Sequence, residues 1–385
     1  EARKQGKALP LNVFLGGPPA AILGAIAPLP ENVPEILVAS MALGKKLALA
    51  KNPYGPLPLL ADAEFALVGE VSPTEILPEG PFGDHYGYYS LQHDFPVFRC
   101  KQLLHRRDAI YPATVVGKPR QEDFFIGDYL QELLSPLFPL VMPSVQQLWS
   151  YGETGYHSLA SAVVQERYKR EGMMSAFRIL GEGQLSLTKF LLLTDRNLDL
   201  KDFPKVLEYV LERADFRSDL YIFSHLSMDT LDYTGPSLNE GSKGVLLGMG
   251  EARRELPREF TGTLPPGFSC AKAFCAGCLV VSGPSYDADR DAAREIAQLP
   301  QFGAWPLVVL ADDAKQLHSV EPGHRETTAR GRPVLRWWGP SDGKAPRCEI
   351  VVASPGALSW RVKDPLQIGE IFPTISFRHR DQDWR

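Results

Sequence analysis

Two carboxylate residues stand close together in a segment rich in glycine, proline and aromatic residues. Glu79 and Asp84 lie five residues apart within residues 78–89, and the glycines and prolines there predict a loop rather than a helix. Two carboxylates held near each other in a partly apolar pocket do not both ionise easily. The pKa of one then rises, and that group can donate a proton near neutral pH. An acidic surface turn between strands is the alternative, and spacing alone does not decide.

Other patterns in the chain point to weaker chemistry. His85 follows Asp84 and either tunes the pKa of that carboxyl group or is a hydrogen-bonded structural histidine. Cys275 and Cys278 form a lone CxxC pair without a nearby histidine, which predicts buried reduced thiols rather than a zinc or redox site. The segment 181–184 lacks the third glycine of a dinucleotide fingerprint and the lysine of a phosphate-binding loop, so phosphate binding is not predicted there.

Short strands and helices must position the acidic loop. A strand at Leu11–Leu15 runs into a glycine–proline turn and then into a helix of small residues at Ala20–Ala27. Partial alternation of polar and apolar residues predicts further strands, at 46–51, 63–71 and 97–117, and a second helix is predicted at 35–43. The first 120 residues are therefore predicted to be mainly β.

The pattern changes after residue 120, where we place a domain boundary. A helical period covers 121–134, and three prolines then end the helix, which predicts a linker helix and a proline-rich connection over 121–157. From 158 to 385, apolar strands alternate with amphipathic helices, as is typical of an α/β domain. The predicted strands are 189–194, 220–223, 278–281 and 305–310, and the predicted helices are 200–214 and 289–299.

Composition and charge exclude several classes of protein. The 41 basic and 46 acidic residues give a net charge of -5, without the basic block expected for a nucleic-acid partner. No apolar stretch reaches the roughly 20 residues that cross a bilayer, so at most peripheral membrane contact is expected. Five scattered cysteines predict a reducing compartment, here the cytoplasm. Because a strand begins soon after Glu1, we expect the chain to be a fragment.

Several segments together resemble the UbiD family, decarboxylases that use prenylated FMN. The acidic loop Glu79–Tyr89 resembles the family's signature, and further similar segments follow the family's order along the chain. These segments are Gly16–Ala20, Ala61–Glu64, Gly69–Glu70, His105–Pro119, Asp229–Tyr233 and Gly241–Gly244. The resemblance implies an α+β fold, with the later part of a split β-barrel, flavin-reductase-like cofactor domain over 1–120. An α/β oligomerisation domain is implied for 158–385.

The resemblance also implies catalytic roles. Glu79 matches the family's first acid, and Asp84 matches its second acid, which exchanges a proton with the substrate during decarboxylation. A catalytic arginine should pair with Glu79 and orient the substrate carboxylate, as a bidentate guanidinium suits. The family places this arginine, with an asparagine and a histidine that help hold a metal, upstream of the position where this chain begins.

Further residues are implied to hold the cofactor and its metal. Glu35 matches the third metal ligand, since carboxylate oxygen suits a divalent metal that bridges a flavin phosphate. The alternative is a solvated glutamate in a first helical turn. Lys243 is implied to reach the flavin phosphate, with a surface lysine after a glycine turn as the alternative. The segment that lines the cofactor, mostly through its backbone, matches Ala25, Ile26, Ala27 and Pro28.

The function implied by the resemblance is reversible, non-oxidative decarboxylation of an aromatic or α,β-unsaturated acid on prenylated FMN. The implied metal is divalent, with manganese expected, and a monovalent cation is a further candidate. The Asp-type loop resembles that of polyprenyl-hydroxybenzoate decarboxylases of ubiquinone synthesis, and a menaquinone-pathway role is also open. Expected partners are a small carboxylic acid, further copies of the chain in a dimer or hexamer, and a flavin prenyltransferase that supplies the cofactor.

Three other functions stay open at this point. Because the arginine, asparagine and histidine are not in this chain, it is alternatively a non-catalytic scaffold, or half of a split enzyme that needs a partner chain. A flavin reductase would use the barrel without decarboxylation. The pair of Glu79 and Asp84 has no obvious purpose in a flavin reductase, which makes that alternative weaker.

Overall fold

The structure is a computed structural model that describes most of the chain. It covers residues 1–311 except 28, 30–32, 87–88, 115, 117–121, 233–236, 285–287 and 290, and the backbone of 348–354, 357–362 and 375–378. These residues separate into two compact units. The first takes in the described residues of Glu1–Asp84, Tyr89–Val116 and Arg120–Ile126, and the second those of His85–Tyr88, Gly117–Pro119 and Gly127–Arg385.

The first unit is built on a three-stranded antiparallel sheet. Its elements are β1 (Leu9–Leu15), α1 (Pro19–Ile26), α2 (Glu35–Leu43), β2 (Leu49–Ala50), β3 (Leu59–Leu60), β4 (Phe65–Glu79) and β5 (His93–His105). The sheet has the order β1–β4–β5, and β2 pairs with β3 in a separate ribbon. The helix α3 (Glu122–Leu134) begins in the first unit and ends in the second.

The second unit contains two larger sheets. Its helices are α4 (Phe138–Val141), α5 (Glu171–Leu180), α6 (Phe203–Arg213) and α7 (Ala292–Ala297). Its strands are β6 (Val145–Ser150), β7 (Leu159–Val164), β8 (Phe190–Thr194), β9 (Leu220–Ser227), β10 (Glu240–Gly248), β11 (Cys270–Cys275), β12 (Cys278–Ser282), β13 (Leu307–Ala311), β14 (Cys348–Ser354), β15 (Ala357–Val362) and β16 (Ile375–Arg378). The sheet orders are β6–β7–β8–β10–β9 and β11–β12–β13–β15–β14–β16.

Strand β8 lies at the centre of the five-stranded sheet and is buried on both faces. Successive strand residues point to opposite faces, and they enter two different apolar clusters. Phe190 and Leu192 join the cluster that contains the apolar face of α6, whereas Leu191 and Leu193 join the cluster that contains α5. Residues of β12 and β13 also join the α6 cluster. Helix α6 is therefore covered by apolar side chains from both sheets.

Most of the predicted elements are present, and the fold is a mixed α/β fold. The helices predicted at 20–27, 35–43, 121–134 and 200–214 correspond to α1, α2, α3 and α6, and the strands predicted at 189–194, 220–223, 278–281 and 305–310 correspond to β8, β9, β12 and β13. Among the helices of the described part of the chain, none combines the length and the apolar character needed to cross a membrane.

The prediction of a strand over 97–117 is wrong for the described residues beyond His105. Strand β5 ends there because His105 pairs with Phe65, the first residue of its partner β4, so the ladder stops at that pair. The chain then turns, and the carboxylate of Glu64 accepts hydrogen bonds from Arg106 Nη1 at 3.2 Å and from the backbone N–H of Ile110 at 3.0 Å. The strand predicted at 46–51 is likewise reduced to Leu49–Ala50.

The proline-rich connection predicted within 121–157 contains a strand that the sequence pattern did not predict. Strand β6 pairs antiparallel with β7 at the edge of the five-stranded sheet. Its register shifts between Val145 and Gln147, so the buried residues Val145 and Leu148 stand three positions apart rather than two or four. A bulge of this kind hides the alternation by which strands are predicted.

Candidate active site

The acidic segment is a hairpin loop between the two longest strands of the first unit. Strand β4 ends at Glu79, which pairs with His93 at the start of β5. The backbone N–H of Ser90 donates to the carbonyl of Phe82 at 2.8 Å, and the N–H of Phe82 donates to the Ser90 hydroxyl at 3.0 Å. The loop is thus closed by its own hydrogen bonds. The prediction of a loop and not a helix is confirmed for residues 80–86 and 89, whereas Pro78 and Glu79 still belong to β4 and residues 87–88 lie outside the described part of the chain.

Gly80 sets the direction in which the chain leaves Glu79. Its φ is +97°, in the region that favours glycine, and a Cβ atom there would lie 2.7 Å from the carbonyl oxygen of Leu91. A larger residue would therefore push the two sides of the loop apart. Glycine is therefore required at this position, where the end of β4 lies close to the opposite side of the loop.

Glu79 lies at the base of this loop and Asp84 lies toward its tip. Glu79 is exposed at the last position of β4, and Asp84 is half-buried toward the tip, after Gly83, which forms a β-bridge with Tyr89. Both carboxylates belong to the first unit. The structure thus holds the two predicted acids on one hydrogen-bonded hairpin, and their catalytic roles stay predictions.

The residues predicted for the metal and for the cofactor lie near each other in the first unit. Helix α1 ends at Ile26, and the N–H of Ala27 donates to the carbonyl of Gly24 at 3.4 Å. A Cβ atom on Gly24 would lie 2.7 Å from the backbone oxygen of Glu35, so the start of α2 packs directly on the end of α1. Ala25 and Ile26 are exposed beside this contact. Pro28 lies outside the described residues.

Glu35 presents an exposed carboxylate at the first position of α2. Both the predicted metal ligand and the alternative, a solvated glutamate in a first helical turn, are compatible with that position. Within the described residues, no group of three or more His, Cys, Asp and Glu side chains is arranged to hold a metal ion.

Lys243 is buried in strand β10 of the second unit, and the alternative of a surface lysine is wrong. Its side chain donates from Nζ to the backbone carbonyl of Thr188 at 2.9 Å, and the residue is 3% exposed. Burial, followed by the positive charge of Lys189, lowers the pKa of Lys243 to about 8. An ammonium group has three N–H bonds, so the bond to Thr188 leaves it able to donate to a second acceptor such as a phosphate oxygen.

Sequence reasoning missed a buried charged cluster in the second unit. Lys189 Nζ lies 2.8 Å from Asp232 Oδ2, and both residues are almost fully buried. Asp229 accepts hydrogen bonds from Tyr86 and His157. The only signal in the sequence is the segment Asp229–Tyr233, which resembles the family but does not reveal its partners. Those partners lie far apart in the chain, so spacing could not have joined them.

Cys275 and Cys278 face each other across the turn between β11 and β12, and both are buried and free. A hydrogen bond with Cys278, and then burial, raise the pKa of the Cys275 thiol. Neither cysteine belongs to a cluster of metal-binding side chains in the described part of the chain. The prediction that both thiols are buried is confirmed, and their reduced state stays a prediction.

Two family models match the sequence of this chain. The sequence model described as "3-octaprenyl-4-hydroxybenzoate carboxy-lyase Rift-related domain" matches residues 1–119, and that of the "3-octaprenyl-4-hydroxybenzoate carboxy-lyase C-terminal domain" matches residues 124–248. Together they cover more than half of the chain. The chain belongs to the UbiD family.

Relatives with high identity are longer than this chain. An uncharacterized protein of Chlamydia trachomatis is 57% identical over 336 residues, which are 87% of this chain and 58% of the relative. A Chlamydia pneumoniae protein, named as one of the subunits of a 4-hydroxybenzoate decarboxylase, is 55% identical over 316 residues, which are 82% of this chain and 54% of the relative. The chain thus spans little more than half the length of these relatives.

Solved structures of the same class share the fold. The closed form of vanillic acid decarboxylase from Sedimentibacter hydroxybenzoicus matches with a TM-score of 0.60 at 21% identity, over 69% of this chain and 56% of that chain. An evolved dimeric form of the UbiD-class enzyme HmfF from Pelotomaculum thermopropionicum, in complex with prFMN, matches with a TM-score of 0.53 at 20% identity, over 69% of this chain and 57% of that chain. At this identity the similarity concerns the fold alone.

Proposed function

We propose that this chain is part of a UbiD-type carboxy-lyase that reversibly decarboxylates an aromatic or α,β-unsaturated acid without net oxidation. The observation that carries the proposal is the hairpin loop with Glu79 and Asp84, which lies inside the region matched by the family. Decarboxylation replaces a carbon–carboxylate bond by a carbon–hydrogen bond, so the site must supply one proton to the carbon that loses CO₂.

Asp84 is the proton donor in this proposal, and Glu79 is its partner. The carboxyl group of Asp84 gives its proton to the substrate carbon and regains one from solvent, and the reverse transfer serves carboxylation. The loop holds the carboxyl group of Asp84 in place, because it is closed by the hydrogen bonds between Phe82 and Ser90. The side chain of Asp84 is half-buried, so the loop shields it in part from solvent.

The residues of the first unit suit an aromatic cofactor and part of a metal site. When bound, prenylated FMN supplies the electron sink for the electron pair that CO₂ leaves behind. Ala25 and Ile26 offer an exposed apolar strip at the end of α1, and Glu35 beside them offers a carboxylate of the kind that binds Mn²⁺. Lys243 belongs to the second unit, and its ammonium group is proposed for a phosphate oxygen by resemblance. Pro28 and a monovalent cation belong to the proposal by resemblance alone.

For the whole protein we propose a split β-barrel cofactor domain followed by an α/β oligomerisation domain.

A hydroxybenzoate is the proposed substrate class. It is supported by the family description, by the Chlamydia pneumoniae relative and by the aromatic acid named for the vanillic acid decarboxylase. A polyprenyl-hydroxybenzoate of quinone biosynthesis is the finer form of this proposal. Proposed partners are further copies of the chain and a flavin prenyltransferase, in the cytoplasm.

The test uses the full gene product that contains this chain, expressed together with a flavin prenyltransferase. Release of phenol from 4-hydroxybenzoate, and the mass of the cofactor that the protein releases, are measured together. We expect Asp84→Asn to lose about 100-fold or more of the activity, which is the usual contribution of a general acid, with an unchanged cofactor content. Glu75→Gln is the matched control, because Glu75 lies in the same hairpin and pairs with Arg99 at the surface.

Three results would contradict the proposal. A wild-type protein that carries no flavin would favour the non-catalytic scaffold, or a split enzyme if a partner chain restores the cofactor. Full activity of Asp84→Asn would remove Asp84 from the reaction. Loss of activity in Glu75→Gln as well would show that the hairpin responds to any lost charge, and the assignment of Asp84 would then fail.

A further inference from the structure

The two residues that follow Asp84 belong to the second unit, although Asp84 itself belongs to the first. Tyr86 is 6% exposed, and its hydroxyl donates to Asp229 Oδ2 at 3.1 Å. A Cβ atom on Gly155 would lie 2.7 Å from Cε1 of the Tyr86 ring, so the ring packs directly on the backbone there. The loop residue is thus held both by ring packing and by a buried hydrogen bond.

His85 strengthens this attachment. Its ring lies 4.6 Å from that of Tyr86, and its Nε2 lies 3.3 Å from the carbonyl oxygen of Gly155. Two consecutive residues of the loop therefore contact the same short turn of the second unit. That turn follows β6 and includes Thr154, whose hydroxyl and N–H both donate to the carbonyl of Tyr151. The attachment point is itself held by hydrogen bonds.

Asp229 is built to accept the hydrogen bond of Tyr86. Its side chain also accepts from His157 Nδ1 and, at 3.0 Å, from the N–H of Leu231. Burial acts to raise the pKa of Asp229, but the hydrogen bond and charge of His157, the N–H of Leu231 and the charge of His85 together lower it to about 2. Burial and the charge of Asp229 raise the pKa of Tyr86 well above its usual value. The carboxylate therefore stays an acceptor and the phenol stays a donor at neutral pH.

We infer that Tyr86 is a positioning residue for Asp84. The inference rests on the proposed function, in which Asp84 is the proton donor. Two residues of chain span at most about 7 Å, so a Tyr86 ring that is fixed by Asp229 and Gly155 leaves the backbone of Asp84 little freedom. Proton transfer depends steeply on such placement, since a displacement of about 1 Å can cost about 100-fold in rate. The bond between Tyr86 and Asp229 then acts on the rate through Asp84, without contact to the substrate.

The test compares Tyr86→Phe with wild type in the full gene product loaded with its cofactor. The substitution keeps the ring and its packing on Gly155, and it removes only the hydroxyl group. We expect kcat for 4-hydroxybenzoate to fall about tenfold, while KM stays within about twofold of the wild-type value. The reason is that the substitution slows proton delivery but leaves substrate binding unchanged. Hydrogen–deuterium exchange of the peptide over residues 79–91 should become faster, also in protein without substrate. Tyr168→Phe is the matched control, since Tyr168 is 57% exposed in the same unit.

Asp229→Asn gives a second, milder variant. The carboxamide keeps an oxygen acceptor for Tyr86 but loses the negative charge, so kcat should fall less than in Tyr86→Phe. Unchanged kcat in Tyr86→Phe beside an active wild type would overturn the inference, and so would faster exchange in the loop without a change in kcat. A wild-type protein that binds the cofactor but decarboxylates nothing would instead count against the proposed function. Slower turnover combined with a raised KM would place Tyr86 in substrate binding and would also overturn the inference.

Discussion

Lys243 brings a positive charge into the interior of the second unit, where it donates a hydrogen bond to a backbone carbonyl. Its Nζ lies 2.9 Å from the carbonyl oxygen of Thr188, while the neighbouring Lys189 pairs with Asp232 at 2.8 Å. Taking an ammonium group out of water disfavours its charged form, and the charge of Lys189 adds to this effect. The pKa of Lys243 accordingly falls to about 8. A buried charge of this kind costs folding free energy at neutral pH.

We predict that Lys243→Met removes part of the pH dependence of stability. The pKa of Lys243 is about 8 in the folded state and has its usual value of 10.5 in a free side chain. Between these values the unfolded state binds more protons, so the free energy of unfolding of the wild type rises with pH across this window and is flat for this group below it. Relative to Lys243→Met, the rise should be on the order of 1 to 3 kcal/mol.

Urea unfolding from about pH 7 to about pH 10 measures this difference. Lys205→Met is the control, because it removes a lysine whose side chain is 75% exposed and not a buried one. Wild type and Lys243→Met with parallel pH dependences would show that the buried ammonium group titrates as it does in water.

Helix α6 connects the two sheets of the second unit, and its first turn depends on a capping residue. Asp202 precedes the helix, and its side chain accepts a hydrogen bond from the N–H of Lys205. Pro204 occupies the first turn, where its missing N–H costs nothing. The apolar face that follows is almost fully buried and consists of Val206, Leu207, Val210 and Leu211. A cap at this end therefore supports an element on which both sheets depend.

Asp202→Ala should lower the free energy of unfolding by about 1 kcal/mol, because it leaves an N–H group of the first turn without its side-chain acceptor. Asp202→Asn keeps the acceptor oxygen and should restore most of the loss. The free energies are measured by chemical unfolding at low and at high salt. Equal losses in both variants, with a strong dependence on salt, would mean that the ion pair with Lys205 matters more than the cap.

At the scale of the whole molecule, the first unit exposes several large apolar side chains. Helices α1 and α2 pack on each other at Gly24, yet large side chains of both helices remain exposed. They are Ile22, Ile26, Ile36, Leu37 and Met41, which are between 45% and 73% exposed. Several large apolar side chains exposed on two packed helices are typical of a face that binds another surface or a ligand.

Met41→Glu should reduce the binding of a hydrophobic dye such as ANS to the chain, because Met41 is 73% exposed and a carboxylate there interrupts the apolar surface. The free energy of unfolding should change by less than about 0.5 kcal/mol, as is usual for surface substitutions. Met41→Leu keeps the apolar surface and serves as the control. Dye binding that is unchanged in Met41→Glu would show that the dye binds elsewhere.

The local patterns of the chain were sufficient for much of the fold. Helices α2 and α6 and strands β8 and β12 follow from hydrophobic periods and end signals that lie within a few residues of each other. The loop character of the acidic segment follows from its glycines and prolines in the same way. The end of β5 and the strand β6 could not be predicted, because the first depends on where its partner β4 begins and the second contains a bulge.

The sequence by itself determined the family, the acidic pair Glu79 and Asp84, and the non-helical segment that carries them. Only the tertiary structure decided that the loop is anchored through Tyr86 to Asp229, which lies 143 residues further along the chain. It also decided that Lys243 is buried and not at the surface. The physical reason is that burial and hydrogen-bond partners are properties of the packed chain. They set which carboxylate stays charged and which hydroxyl donates, and no local pattern encodes either one.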